Sequence, residues 1–456
     1  MLKLPELLKA TKGISKNEGD SVNFKGVSID SRTVKSGEIF LAIKGENFDG
    51  HNFISDAVKK GAKAIIFDSD KCAVKKLPRT VSLIKVENTT KALGDIARSH
   101  REKFSIPVIV VTGSNGKTTT KEMIASILSL KAKVLKNEGT KNNHIGLPLT
   151  LLKLNKSFGF VVLEAGSNHP GEIAYLAGIS LPNIGIITNI GPSHLKFFVD
   201  VAGVFKEKYS LTKYLKEPYI AILNADDRFL RRKVEIGRKK PVVFGFGLNS
   251  KTDFFAGDAK VQEGKTEFTL NKKYRFTLKT IGYYNIYNAL SAIAVGRIFG
   301  LDYKAMRNRL SNFNFPKSRL RVLKRHNTTF IDDTYNSNPL SLTSALDALD
   351  NFKTPGRKIF VMGDMLELGR MSRSFHQKAG MRVAKSCDCL ITVGKFSRHT
   401  ADRAKTCGLS PKNIFSCENS QQARQILFDI LSPIQLDVVL IKGSRLLKME
   451  EVLNVI

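Results

Sequence analysis

The stretch that most constrains this chain is the apolar run Val108-Ile109-Val110-Val111, followed at once by Thr112-Gly113-Ser114-Asn115-Gly116-Lys117-Thr118-Thr119-Thr120 and then by apolar residues at Met123, Ile124, Ile127 and Leu128. Four consecutive β-branched residues read as a strand buried on both faces. The spacing of three and four that follows reads as one face of a helix. A strand, a glycine-bearing turn and a helix N-terminus together cradle phosphate. Gly113 and Gly116 let backbone N–H groups approach oxygen atoms, the helix end adds positive potential, Lys117 reaches outer phosphates and Thr118 offers a hydroxyl to magnesium. Ser114, Asn115 and Thr119 belong to the same nucleotide-binding run. The eight-residue form of such a loop has glycine where this chain has Val111, so the loop here is shortened. A Gly-Lys-Thr turn before a helix also arises by chance; the strand, both glycines, the lysine and the threonine in register favour nucleotide binding.

The pattern around this loop predicts an α/β chain of three domains. Short strands at 38–43 and 64–67, with a helical stretch at 53–60 between them, give a small α/β domain over residues 1–104. The charged stretch 98–105, ahead of Pro107, reads as a linker. Apolar strands then recur at 108–111, 160–163, 184–188, 220–223 and 242–244, alternating with helices, which predicts a central doubly wound sheet over 105–314. A polar, strand-rich insert at 252–280 leads to a helix beginning near Asn285. The alternation restarts with strands at 329–331, 359–362, 390–393 and 438–441, a Rossmann-like domain over 315–456.

At 456 residues the chain exceeds one ordinary hydrophobic core. No apolar run approaches the roughly 18 residues of a membrane span, and the N-terminus lacks the pattern of a signal peptide, so a cytoplasmic location is expected. Cys72, Cys387, Cys389, Cys407 and Cys417 are odd in number and scattered, which predicts reduced structural thiols rather than a zinc site. The net charge of +32 raises the question of nucleic acid, but the lysines are spread along the chain and no nucleic-acid module is present; anionic small substrates are the expected partners.

A phosphate loop leaves the reaction open, since several enzyme classes use one. Glu164 ends the second strand of the central domain, on the edge where such sheets bind ligands, and is a candidate for magnesium; the alternative is a cap on the following turn. His194 lies just beyond the third strand on the same edge. Lys208, in Phe205-Lys206-Glu207-Lys208, would by itself belong to a solvated helix face.

Five stretches together resemble the Mur ligase family over nearly the whole length: Thr112 to Thr119, Glu164 with Ala165-Gly-Ser-Asn-His169, His194, Asn224-Ala-Asp-Asp227, and Gly282-Tyr-Tyr-Asn-Ile-Tyr-Asn-Ala289. Four more carry the resemblance towards the members that join D-alanyl-D-alanine: Asp30-Ser-Arg32 with Gly45-Glu-Asn-Phe-Asp-Gly-His51, Asn142-Asn-His-Ile-Gly-Leu-Pro148, Asp332-Asp-Thr-Tyr-Asn-Ser-Asn-Pro339, and Met362-Gly-Asp-Met-Leu-Glu-Leu-Gly369. Lys442-Gly-Ser-Arg445 points the same way. The resemblance implies that ATP phosphorylates the terminal carboxylate of a UDP-N-acetylmuramoyl-tripeptide and that the dipeptide amine attacks the acyl phosphate.

It also implies roles residue by residue. Lys117 holds the outer phosphates, Thr118 and Glu164 bind a first Mg2+, His194 lies near a second, and Lys208 is the carbamylated lysine, with Lys206 competing for that role. Asn285 and Asn288 resemble adenine contacts, Arg319 the basic group reaching the γ-phosphate, and Asp333 the ribose contact. The first domain is implied to bind the UDP-sugar, with Ser31, Arg32, Asn142 and Asn143 as parts of the UDP-muramoyl site. Tyr335, Asn336 and Asn338 face the dipeptide or the phosphates, although Asn and Asp more commonly cap helices and turns. His144 replaces a frequent acidic residue, and Ser318-Arg319 a frequent Gly-Arg pair. The expected protein is a monomer with no nucleic-acid partner and no membrane span. The rivals are another ligase of the family, adding the third peptide residue or polyglutamate to a folate, and a nucleotide-regulated nucleic-acid-binding protein.

Overall fold

The computed structural model describes residues 2–15, 23–69, 77–237, 240–249, 251–262, 264–432 and 434–455. Its three domains are mixed α/β, each built on a sheet of mostly parallel strands. The first sheet has the spatial order Ile14–Ser15, Ser82–Lys85, Ala64–Phe67, Ile39–Leu41, Val27–Ser28. All its pairings are parallel except that of the first two strands. The helix expected at 53–60 is Ile54–Lys59.

The stretch expected as a linker is half helix: Thr89–Arg101 continues into it. The reason is that Arg101 is buried and not solvated. Its guanidinium donates to the carbonyls of Ser180 (3.3 Å), Ile106 (3.2 Å) and Phe104, tying the first domain to the second. A charge run in sequence can thus be an internal anchor, because arginine's five donors satisfy several carbonyls at once.

The central sheet runs Tyr274–Leu278, Lys265–Leu270, Phe254–Gln262, Val242–Gly247, Ile220–Asn224, Ile184–Ile187, Val108–Thr112, Phe160–Glu164, Val134–Lys136. It is parallel from Val134–Lys136 to Phe254–Gln262 and antiparallel through the insert. Val108, Ile109, Val110 and Val111 are fully buried. At roughly 1.5–3 kcal/mol per large apolar side chain, this burial fixes the strand from which the phosphate loop departs. Helix Lys117–Leu128 then lies against helix Tyr284–Ile298, and Gly296 permits the approach. A Cβ there would meet Met306 Sδ at 2.3 Å and Ile127 Cγ2 at 2.9 Å.

The third sheet runs Arg321–Arg325, Thr328–Asp333, Val438–Lys442, Lys358–Gly363, Cys389–Val393, Ile414–Cys417, parallel after its first pair. Cys387, Cys389 and Cys417 are buried free thiols and Cys407 an exposed one; Cys72 lies outside the described residues. Among the described residues no helix is long and apolar enough to cross a membrane.

Candidate active site

Parallel strands end on one edge, so register determines which side chains meet there. Glu164 pairs with Val111, and Ile187 with Thr112. The phosphate loop, Glu164 and residues 188–194 therefore emerge side by side. In the third sheet, Asp333 and Lys442 are paired at the equivalent ends. A cavity of about 1300 Å³ lies between these edges, lined from the first domain by Glu46, from the second by Lys117, Thr118, Glu164 and His194, and from the third by Arg319 and Asp333.

The loop's glycines are required by its packing. Gly113 has φ +148° and a Cβ there would fall 1.9 Å from Thr188 Oγ1; Gly116 has φ +81° and a Cβ would fall 2.4 Å from Asn288 Oδ1. The segment after strand Ile184–Ile187 braces the loop. Ser114 N donates to Asn189 O (3.0 Å), Asn115 N to Asn189 Oδ1 (2.9 Å), and Ser114 Oγ to Gly191 O (3.0 Å). Thr119, on the first helical turn, is buried.

Lys117 Nζ donates to Gly113 O (2.8 Å) and Ser114 O (3.2 Å), curling over its own loop. Thr118 Oγ1 donates to Glu164 Oε2 (2.7 Å) and Asn142 Nδ2 to Glu164 Oε1 (2.7 Å), so the carboxylate faces the loop instead of capping its own turn. Arg319 crosses from the third domain: its Nη2 donates to Thr118 Oγ1 (3.0 Å) and its guanidinium lies 4.1 Å from the Tyr335 ring. Burial lowers the Lys117 amine's proton affinity, with the Arg319 charge adding to that effect and Glu164 opposing it. Lys208 is 1% exposed, with Nζ 3.5 Å from Ser167 Oγ. Burial, reinforced by Lys117, brings its pKa from the ordinary 10.5 down to about 7. Cations crowded around Glu164 suit a polyanionic ligand.

Other expected residues are placed differently. Lys206 is exposed, so burial separates it from Lys208. Asn288 lines the cavity and accepts from Thr120 Oγ1 (3.1 Å), but Asn285 lies beneath it, 1% exposed, donating to Thr280 Oγ1 (3.1 Å). Asn143 lines the cavity, and its Oδ1 also accepts from Gly146 N (2.9 Å) at the start of the helix Gly146–Leu151. Asn338 caps Pro339–Asp350 and exchanges two hydrogen bonds with Asn115, at 2.8 and 3.2 Å, across the domain boundary. Asn336 lines the cavity while its carbonyl accepts from Lys442 Nζ (2.9 Å). Ser31 and Arg32 do not line this cavity; Arg32 is 85% exposed at its side chain and paired with Asp30 at 2.8 Å.

Sequence reasoning missed three partners. Glu367 Oε2 lies 2.5 Å from His194 Nδ1, and this bond holds the Glu367 carboxyl below its usual pKa. Lys442 Nζ lies 2.5 Å from Asp333 Oδ2. Glu207 is buried and accepts from Gly171 N and Ile173 N (both 2.7 Å), fixing the helix that carries Lys208. Glu367 and Lys442 sit inside motifs already singled out; Glu207 carries no sequence signal.

The comparisons agree along the chain. Family models match in three blocks: the Mur ligase family catalytic domain at 23–101, the Mur ligase middle domain at 111–296 and the Mur ligase glutamate ligase domain at 318–445. The UDP-N-acetylmuramoyl-tripeptide--D-alanyl-D-alanine ligase of Escherichia coli K12 is 35% identical over 96% of this chain and 94% of its own. The Bacillus subtilis 168 protein of the same name is 31% identical over 99% and 96%. A solved MurF structure from Acinetobacter baumannii superposes with TM-score 0.89 at 31% identity, covering 99% of this chain and 98% of its own. The Thermotoga maritima MurF ligase in complex with ADP gives 0.83 at 30%, covering 94% and 96%. With every domain matched in order and relatives aligned end to end, the chain belongs to the Mur ligase family.

Proposed function

We propose that the chain joins D-alanyl-D-alanine to the peptide carboxylate of UDP-N-acetylmuramoyl-tripeptide, with ATP cleaved to ADP and phosphate, as a cytoplasmic step of peptidoglycan precursor synthesis. The single observation that carries this reading is the meeting of Lys117, Thr118 and Glu164 from one domain with Arg319 from another around one cavity. A carboxylate resists attack by an amine because it is anionic and oxide leaves poorly; converting it to an acyl phosphate removes both obstacles. The protein's task is then alignment and charge neutralisation.

In this reading Lys117 and Arg319 grip the phosphoryl oxygens, and the Tyr335 ring under Arg319 keeps its plane directed at them. Thr118 and Glu164 present hard oxygen atoms beside the phosphate cradle, a donor set that fits Mg2+, and would hold it. When bound, Mg2+ supplies neutralisation of the charge on the transferring phosphoryl group. Lys208 is the lysine we assign to carbamylation. Its neutral Nζ attacks CO2, one N–C bond forms and a proton leaves to solvent; the resulting anion carries two hard oxygens and, with His194, would hold a second Mg2+. Burial keeps a large fraction of this amine neutral near pH 7, whereas exposed Lys206 lacks that cause. Asp333, held by Lys442, and Asn288 are assigned to the nucleoside. Asn142 and Asn143 are assigned to the muramoyl side, Ser31 and Arg32 to the UDP end, and Asn336 and Asn338 to the dipeptide side.

The test is coupled phosphate release and product mass, using ATP, Mg2+, the UDP-muramoyl tripeptide and D-alanyl-D-alanine. Phosphate release that requires both peptide substrates and yields the pentapeptide is expected. Equal turnover with a single amino acid as acceptor, or with a folate, would overturn the assignment in favour of another ligase of the family.

A further inference from the structure

We propose that Asn137 is a positioning residue for the Mg2+ site, holding Glu164 in register with the phosphate loop; this rests on the assignment of Glu164 as a ligand. Asn137 is fully buried and follows the short edge strand Val134–Lys136. Its side chain closes a two-way bridge to the main chain of Glu164: Oδ1 accepts from Glu164 N (2.9 Å) and Nδ2 donates to Glu164 O (3.0 Å). The pair of bonds imitates a strand ladder where the edge strand has already ended, so the backbone of Glu164 is clamped beside the very peptide that carries the carboxylate. Nδ2 also donates to Lys141 O (3.0 Å), fixing the turn that delivers Asn142 to Glu164 Oε1.

The clamp is itself anchored to the phosphate-loop helix. Lys121, one turn after Lys117, has no exposed surface, and its Nζ donates to Asn137 O (2.6 Å) and Gly139 O (3.3 Å), with Glu122 Oε1 at 3.0 Å. A buried ammonium is costly unless every donor is used. Here they are used to lock residues 137–139 onto the helix. One connected path therefore runs from the helix that starts at the phosphate cradle, through Lys121 and Asn137, to the main chain of Glu164 and to Asn142. The Thr118 bond to Glu164 Oε2 closes the ring from the other side. Mg2+ tolerates little departure from octahedral geometry, so a ligand free to shift by a few tenths of an ångström binds it poorly. Groups that orient metal ligands typically contribute about 10- to 100-fold to affinity.

The experiment measures Mn2+, as a paramagnetic stand-in for Mg2+, by the electron paramagnetic resonance of free ion in titrations of the full chain with ADP. ADP affinity is measured separately in EDTA, and folding by circular dichroism. Asn137→Ala is expected to weaken Mn2+ binding about 10- to 100-fold with metal-free ADP affinity unchanged. Should that variant fail to fold, Asn137→Ser, whose hydroxyl can keep one of the two bonds, carries the test with a smaller loss in the same direction. Unchanged Mn2+ affinity in a folded variant overturns the proposal. So does an equal loss of metal-free ADP affinity, which means collapse of the loop. Glu164→Gln is the reference: if it leaves Mn2+ affinity intact, the ligand assignment fails and not the clamp.

Discussion

Replacing Lys208 with methionine should make the protein more stable and inactive at once. The side chain is 1% exposed, and burial with the charge of Lys117 lowers its pKa from 10.5 to about 7. At about 1.4 kcal/mol per tenfold, this difference costs the folded state roughly 4 kcal/mol near pH 7 relative to an unfolded chain whose lysine is fully charged. The sign follows from proton counts. Between pH 7 and 10.5 the unfolded lysine holds more protons than the folded one, so the lysine protein gains stability as pH rises through that window. Below pH 7 both states are protonated and the full penalty applies. Lys208→Met, similar in volume and uncharged, removes the penalty. Urea unfolding in CO2-free buffer should therefore show the methionine variant more stable at pH 6.5–7, with the advantage shrinking towards pH 10. Ligase turnover should be lost throughout, because methionine forms no carbamate. A methionine variant that is less stable at pH 7, or an advantage independent of pH, would refute the reasoning.

Lys117→Ala should abolish ATP turnover with little change in thermal unfolding, since the amine bonds only carbonyls of its own loop; retained phosphate release in the coupled assay contradicts the assignment. Arg319→Lys should lower kcat/KM by about 100-fold, because an ammonium can neither bridge two oxygens nor lie flat on Tyr335; steady-state kinetics within threefold of the parent would remove Arg319 from the phosphoryl site. Gly296→Ala forces a methyl into Met306 and Ile127 and should destabilise by about 1–3 kcal/mol in urea titrations, leaving KM for ATP unaltered.

The sequence by itself determined the glycine-lysine loop, the three-part α/β alternation and which strand ends meet at the cavity. These are local: apolar periodicity, two glycines and a lysine lie within a dozen residues, and backbone chemistry does the rest. The first half of the expected linker is helix instead, because composition reports charge but not burial, and Arg101 is charged and buried. Only tertiary structure separated Lys208 from Lys206, two residues apart and chemically identical in the chain, because burial is a property of what packs against a helix and not of the helix. It also turned Asn285 inward, paired His194 with Glu367 across 173 positions, and made Asn137 the clamp on Glu164. An asparagine carries no mark of its partners. Its two-way hydrogen bonding is common to every copy in the chain, and the fold alone decides which one faces the main chain of Glu164.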